Sequence, residues 1–72
     1  MDEVLVGEDG IRLGQLLKLV DVVETGGAAR GLLAAGEVQV NGAVETRRGR
    51  QLAAGDVVAV GGRQVRLGAR DD

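Results

Sequence analysis

The chain has 72 residues, a formal net charge of −2, and no Cys, His, Phe, Tyr or Trp. These absences exclude disulfides, thiolate nucleophiles, imidazole bases and Cys/His zinc sites, so the core has to be built from Val, Leu, Ile and Ala. The length predicts one small domain over residues 1–72, with a core of about 4–67 and acidic ends that fray.

The charge is unevenly distributed along the chain. Acidic residues cluster at both ends: Asp2, Glu3, Glu8 and Asp9 near the start, and Asp71 and Asp72 at the finish. Residues 11–70 carry nine basic and five acidic groups, a net charge of +4. A basic middle is compatible with nucleic-acid binding, although composition alone favours an ordinary solvated surface. No signal peptide and no membrane-spanning run is apparent, so a cytoplasmic location is expected.

The first third of the chain predicts an edge strand, a turn and a helix. Residues 4–6 form a short apolar run, residues 7–10 suit a turn, and residues 11–20 carry an amphipathic stripe. That stripe consists of Leu13, Leu16, Leu17 and Val20. Gly14 interrupts the helix, most simply as a small residue where two elements cross, and Lys18 points away from the stripe.

A second helix is predicted over about residues 26–35, after a short link at 21–24. Thr25 is a suitable N-cap and Gly36 suits the left-handed residue that closes a helix. The apolar face would contain Ala28, Ala29, Leu32 and Leu33. Arg30 points away from that face.

The second half of the chain predicts antiparallel strands. Val38–Val40 and Val44 flank Asn41-Gly42, a strong two-residue hairpin signal whose role is primarily that of a turn. Residues 45–50 are polar and basic, as in a surface loop, and residues 53–56 form a turn. Gly61-Gly62 then joins strands at 57–60 and 63–67, with residues 68–72 frayed. The order of elements predicts an α+β fold with both helices on one side of a small, mainly antiparallel sheet.

The residue inventory favours binding over catalysis. The carboxylates occupy cap-like or turn-like positions, so no catalytic residue, metal site or cofactor is predicted. Gly26, Gly27 and Gly31 match neither GxGxxG nor a Walker motif, and are only a weak phosphate signal. Arginine offers a fork of donors that suits phosphate. Without aromatic residues to stack on unpaired bases, the arginines favour the shape and backbone of a folded RNA.

Several segments, in their order and spacing, resemble a known family. IRLGQLLKL, TGGAARGLL, GEVQVNG, VETRRGR and GDVV are similar to the RNA-binding domain of ribosomal small-subunit protein S-four, in the free-standing bacterial form of YbcJ/YaaA-like small proteins. The resemblance covers roughly residues 4–67. It implies an L-shaped two-helix unit, the alpha-L motif, packed on a small sheet. It also implies binding of structured RNA, often ribosomal, through the basic face of the helices and adjacent loops.

The sequence and the resemblance together predict a non-catalytic, monomeric RNA-binding protein. Arg12 and Arg30 match basic helix positions of the family, and Arg47, Arg48 and Arg50 match its basic stretch. The predicted RNA contacts are Arg12, Lys18, Arg30, Arg47, Arg48 and Arg50, with Gln15 and Thr25 as weaker candidates. The alternative is a protein-interaction module of a ribosome-associated or replication-associated complex. One continuous basic face would favour RNA, whereas arginines paired with Glu24, Glu37 and Glu45 would favour the alternative.

Overall fold

The computed structural model describes residues 2–70, and this part of the chain forms two helices and seven strands. The helices are α1 (Leu13–Leu19) and α2 (Gly26–Ala34). The strands are β1 (Asp2–Val6), β2 (Ile11–Arg12), β3 (Val38–Val40), β4 (Ala43–Val44), β5 (Gln51–Leu52), β6 (Val57–Val60) and β7 (Arg63–Ala69). The predicted α+β fold, with both helices on a mainly antiparallel sheet, is confirmed.

Five strands form the main sheet in the order β1-β7-β6-β3-β4. Only β1 and β7 run parallel, and β1 lies at the predicted edge. Strands β2 and β5 form a separate antiparallel pair in which Ile11 faces Leu52 and Arg12 faces Gln51. The predicted helix over 11–20 therefore starts two residues late, because Ile11 and Arg12 are extended and paired with a distant segment.

The hydrophobic core lies between the helices and one face of the main sheet. Alternation along the strands turns Val58 and Val60 of β6, and Val65 and Leu67 of β7, toward the helices. The helices and β5 supply Leu13, Leu16, Leu17, Ala29, Leu33 and Leu52. Ala28, predicted on the buried face of α2, is exposed because the packing centres on Ala29 and Leu33.

Both predicted hairpin turns use the backbone geometry expected of them. Asn41 and Gly42 have φ of 53° and 86°, and Gly61 and Gly62 have φ of 56° and 82°, which match the right-handed twist of the flanking strands. The Asn41 side chain also links the first hairpin turn to the end of the turn at residues 53–56. Its Nδ2 donates to Asp56 Oδ1 at 3.0 Å, and its Oδ1 accepts from the Val57 N–H at 2.9 Å.

The last strand is longer than the sequence predicted. Residues 68 and 69 belong to β7, and the Arg70 N–H donates to the Val6 carbonyl at 2.8 Å. The expectation that residues 68–70 and the acidic start fray is wrong. The strand β1 pairs in parallel with β7 along its whole length, from Asp2 opposite Val65 to Val6 opposite Ala69. Met1, Asp71 and Asp72, also predicted to fray, lie outside the described residues.

Candidate functional site

The arginine-rich loop of residues 45–50 is attached to the beginning of α1. The first N–H groups of a helix have no partner within the helix. Here the Leu13 N–H donates to the Arg50 carbonyl and the Gly14 N–H donates to the Arg48 carbonyl, both at 2.9 Å. The loop carbonyls thus satisfy the helix start, and the loop is held against α1 by its backbone.

Gly14 makes this close approach possible. It is buried, and a Cβ at its position would collide with Cγ of Arg48 and lie 3.4 Å from the Arg48 carbonyl oxygen. The predicted role of Gly14, a small residue where two elements cross, is therefore confirmed. The crossing element is the arginine loop.

The loop, α1 and the start of α2 enclose a concave surface that we call the α1–loop groove. Its volume is about 360 Å³, and its lining residues are Arg12, Gly14, Gln15, Lys18, Gly26, Arg48 and Gly49. Three of these side chains are cationic and none is a carboxylate. Within residues 2–70, Arg12, Lys18 and Arg48 are exposed and form no ion pair. The groove is therefore positively charged and open to an anionic ligand.

The two weaker candidates, Gln15 and Thr25, both cap helices. Gln15 Oε1 accepts from the Arg12 N–H at 3.1 Å, and Thr25 Oγ1 accepts from the Ala28 N–H at 3.1 Å, the predicted N-cap. Gln15 lines the groove, and its amide N–H groups remain available to a ligand. Thr25 does not line it.

Arg30 is exposed on α2 outside the groove. It follows Gly26 by four residues, so the two lie on the same face of the helix. Since Gly26 lines the groove, a ligand that extends along α2 from the groove would pass toward Arg30.

Glu45, predicted in a surface loop, is instead a buried carboxylate with a relative exposure of 7%. Its Oε2 accepts from the N–H groups of Thr46 and Arg47 and from Arg47 Nε, at 3.0, 3.0 and 3.2 Å. Its Oε1 accepts from Arg47 Nη2 at 3.2 Å and from Arg50 Nη1 at 2.8 Å. The hydrogen bonds from Arg47 and Arg50 lower the pKa of Glu45 to about 2. The sequence prediction failed here because five donors converge on one carboxylate only in the folded loop.

The structure thus divides the six predicted cations. Three line the α1–loop groove, Arg47 and Arg50 bind Glu45, and Arg30 lies further along α2. One sequence signal could have indicated this division. Glu45 is the single acidic residue of VETRRGR, two and five positions before the arginines that bind it.

Two larger depressions, of about 430 and 460 Å³, lie around the β6–β7 turn. Each is lined by Glu37 and a single cation, Arg63. The Arg63 guanidinium donates to the Val20 carbonyl and to Asp2 Oδ2, both at 2.9 Å. These depressions therefore offer an anion less positive charge than the α1–loop groove. The described residues contain no cluster of three or more acidic side chains that could hold a metal ion. Neither helix in this part of the chain has the length and apolar character of a membrane span.

Comparisons with known proteins agree with the resemblance seen in the sequence. A family model described as "S4 domain" matches residues 4–67. A Bacillus subtilis protein named "Probable ribosome maturation protein RlbA" is 46% identical over 59 residues, which cover 82% of this chain and 83% of that protein. The YbcJ protein of Escherichia coli is 41% identical over 57 residues, covering 79% of this chain and 81% of YbcJ.

A solution structure of E. coli YbcJ is similar in fold. The comparison gives a TM-score of 0.66 at 35% identity and covers 94% of this chain and 85% of YbcJ. The YbcJ structure is described as revealing an alpha-L motif involved in RNA binding. The predicted family and the predicted two-helix motif are both confirmed by these matches.

Proposed function

The chain belongs to the S4 domain family, and we propose that it is a non-catalytic RNA-binding protein whose α1–loop groove contacts the phosphates of a structured RNA. The observation that carries the proposal is the presence of three cations, Arg12, Lys18 and Arg48, in one groove without a carboxylate. Ribosomal RNA is the proposed target, because a relative is named for ribosome maturation. We expect the protein to act in the cytoplasm as a monomer.

The chemistry of the groove favours phosphate as the ligand group. Arg12 and Arg48 can each present a fork of donors to two phosphate oxygens. The Lys18 ammonium adds a single positive charge on the exposed surface of α1. Groups that contact successive phosphates release counterions, which makes the affinity fall steeply with salt. Arg30 would extend the contact along α2, and the exposed N–H groups of Arg47 would add to it beside the loop.

Base recognition is expected to contribute less than shape. The chain has no aromatic side chain on which unpaired bases could stack, and stacking on aromatics is a main source of affinity for single strands. A preformed groove with cations on α1, just before α1 and on the loop instead suits the backbone of a folded RNA. This is the basis for expecting structured RNA to bind more tightly than duplex DNA.

The proposal is tested by measuring binding to structured ribosomal RNA fragments and to duplex DNA at about 50 and about 200 mM salt. We expect RNA to bind more tightly. Alanine at Arg12, Lys18 or Arg48 should weaken RNA binding. Each substitution should also reduce the slope of log affinity against log salt by about 0.7–0.9 for every phosphate that the protein no longer neutralises.

Arg66→Ala is the matched control. Arg66 is exposed on β7 between buried Val65 and Leu67, so it lies on the sheet face that points away from the helices. This variant changes the net charge equally and should bind RNA like the wild type. An equal loss in Arg66→Ala would show that overall charge, and not the groove, determines binding.

No RNA binding at low salt would instead favour a protein-interaction module. In such a module, the ion pairs of Arg47 and Arg50 with Glu45 would serve to stabilise the loop.

A further inference from the structure

The Glu45 carboxylate ties together both sides of the turn that carries Arg48. On one side it binds the backbone and the guanidinium of Arg47, and on the other side it binds the guanidinium of Arg50. The Arg50 N–H also donates to the Arg47 carbonyl at 3.3 Å, which closes the turn at 48–49. Arg48 therefore sits at the tip of a loop whose two flanks are joined through one buried acid.

The backbone of the same loop holds the start of α1. The Arg48 and Arg50 carbonyls accept from Gly14 and Leu13. Two sets of bonds therefore hold the loop that carries Arg48: the side-chain bonds to Glu45 and the backbone bonds to α1.

We infer that Glu45 is a positioning residue for RNA binding. By binding Arg47 and Arg50 it holds the loop in shape, and it thereby places Arg48 where this arginine contacts the ligand in the α1–loop groove. This inference rests on the proposed function and assigns unequal roles to the three arginines of the loop. Arg47 and Arg50 act chiefly by holding the loop, whereas Arg48 is the one of the three that contacts the RNA within the groove.

Replacing Glu45 by Gln separates positioning from simple electrostatics, because the two predict changes in RNA affinity of opposite sign. If Glu45 were only a negative charge near RNA, Glu45→Gln would strengthen binding. If Glu45 positions the loop, the same variant should weaken binding about tenfold, because a glutamine cannot accept from all the donors and the charge-assisted bonds are lost. The matched control is Glu37→Gln, which removes the same charge from an exposed residue outside the groove. We expect its affinity to equal or slightly exceed that of the wild type.

A double-mutant cycle separates positioning from a general loss of structure. If Glu45 acts through Arg48, Glu45→Gln should reduce RNA affinity much less in an Arg48→Ala background than in the wild type. An equal reduction in both backgrounds would overturn the inference, since a general loss of folded protein does not depend on Arg48.

Amide hydrogen exchange tests the positioning role without RNA. Glu45→Gln should speed exchange at Leu13 and Gly14, whose N–H groups donate to the loop, by a larger factor than in the buried strand β6, which exchanges only on global unfolding. Unchanged protection at Leu13 and Gly14 would overturn the inference even if RNA binding is lost. Failure of the wild-type protein to bind RNA would overturn the proposed function, and the exchange measurement would still decide whether Glu45 positions the loop.

Discussion

At the scale of single residues, Gly14 combines two opposing demands. A glycine inside a helix costs up to about 1 kcal/mol relative to alanine. Here a larger residue would push against Cγ of Arg48, close to the backbone of the loop. The glycine therefore favours the approach of the loop at the expense of intrinsic helix stability.

Replacement by alanine should have opposite effects on the free energy of unfolding at Gly14 and at Gly31. Gly14→Ala should destabilise the protein by about 1 kcal/mol, because overpacking against the loop outweighs the gain in helix propensity, and it should weaken RNA binding. Gly31→Ala should stabilise by up to about 1 kcal/mol, since no atom from another part of the fold lies within 4 Å of the added Cβ. Urea unfolding and RNA binding of both variants check this. A gain in stability for both would show that the loop gives way without cost.

At the scale of elements, the two helices end in the same hydrogen-bonded motif. After α1, the Asp21 and Val22 N–H groups donate to the Lys18 and Leu17 carbonyls. After α2, Gly36 and Glu37 donate in the same pattern to Leu33 and Leu32. This is the Schellman motif, which requires a left-handed residue just past the helix. Gly36 has φ of 75° and Asp21 has φ of 61°.

Asp21 and Gly36 occupy equivalent positions, so exchanging the residue type at each should change the stability of the protein in opposite directions. Asp21→Gly should stabilise the protein by up to about 1 kcal/mol, because glycine adopts the left-handed conformation without the steric penalty of a Cβ. Gly36→Ala should destabilise by about 1 kcal/mol for the converse reason. Denaturant unfolding of both variants measures the difference. A loss of stability in Asp21→Gly would indicate that the Asp21 side chain contributes more than its backbone strain costs.

At the scale of the whole molecule, carboxylates bound by donors make stability depend on pH. Bonds from Arg47 and Arg50 lower the pKa of Glu45 to about 2. The pKa of Asp56 is lowered by its hydrogen bond from Asn41, and that of Asp2 by its bond from Arg63. A carboxyl group with a lowered pKa in the folded state binds a proton more readily in the unfolded state. Its stabilising effect is therefore complete above the unfolded pKa and is lost as the pH falls toward the folded pKa.

We expect the free energy of unfolding to decrease steadily as the pH falls from about 5 to about 2. Urea unfolding at a series of pH values measures this decrease. Glu45→Gln is the informative comparison, because its stability should depend less on pH in this range than that of the wild type. Identical pH profiles for the two proteins would contradict the role given to the Glu45 carboxylate.

The sequence alone predicted the features that depend on neighbouring residues. The two hairpins followed from Asn41-Gly42 and Gly61-Gly62, because these residues adopt positive φ readily. The cap of α2 followed from Thr25, and the buried face of α1 from the helical spacing of its leucines. The family followed from the order of several such segments. Arg12, Lys18 and Arg48 were among the predicted contact residues, which remain a prediction.

Contacts between residues far apart in the chain became visible only in the folded structure. The pairing of β2 with β5 replaces the first two residues of the predicted helix by a strand, and the parallel pairing of β1 with β7 extends the sheet to Ala69. Arg47, Arg48 and Arg50 were predicted as equivalent contacts, because the three have the same chemistry and are nearly adjacent, and their spacing from Glu45 was the one local signal of a difference. Arg48 lines the groove only because the chain folds back on α1, while Glu45 binds the other two arginines.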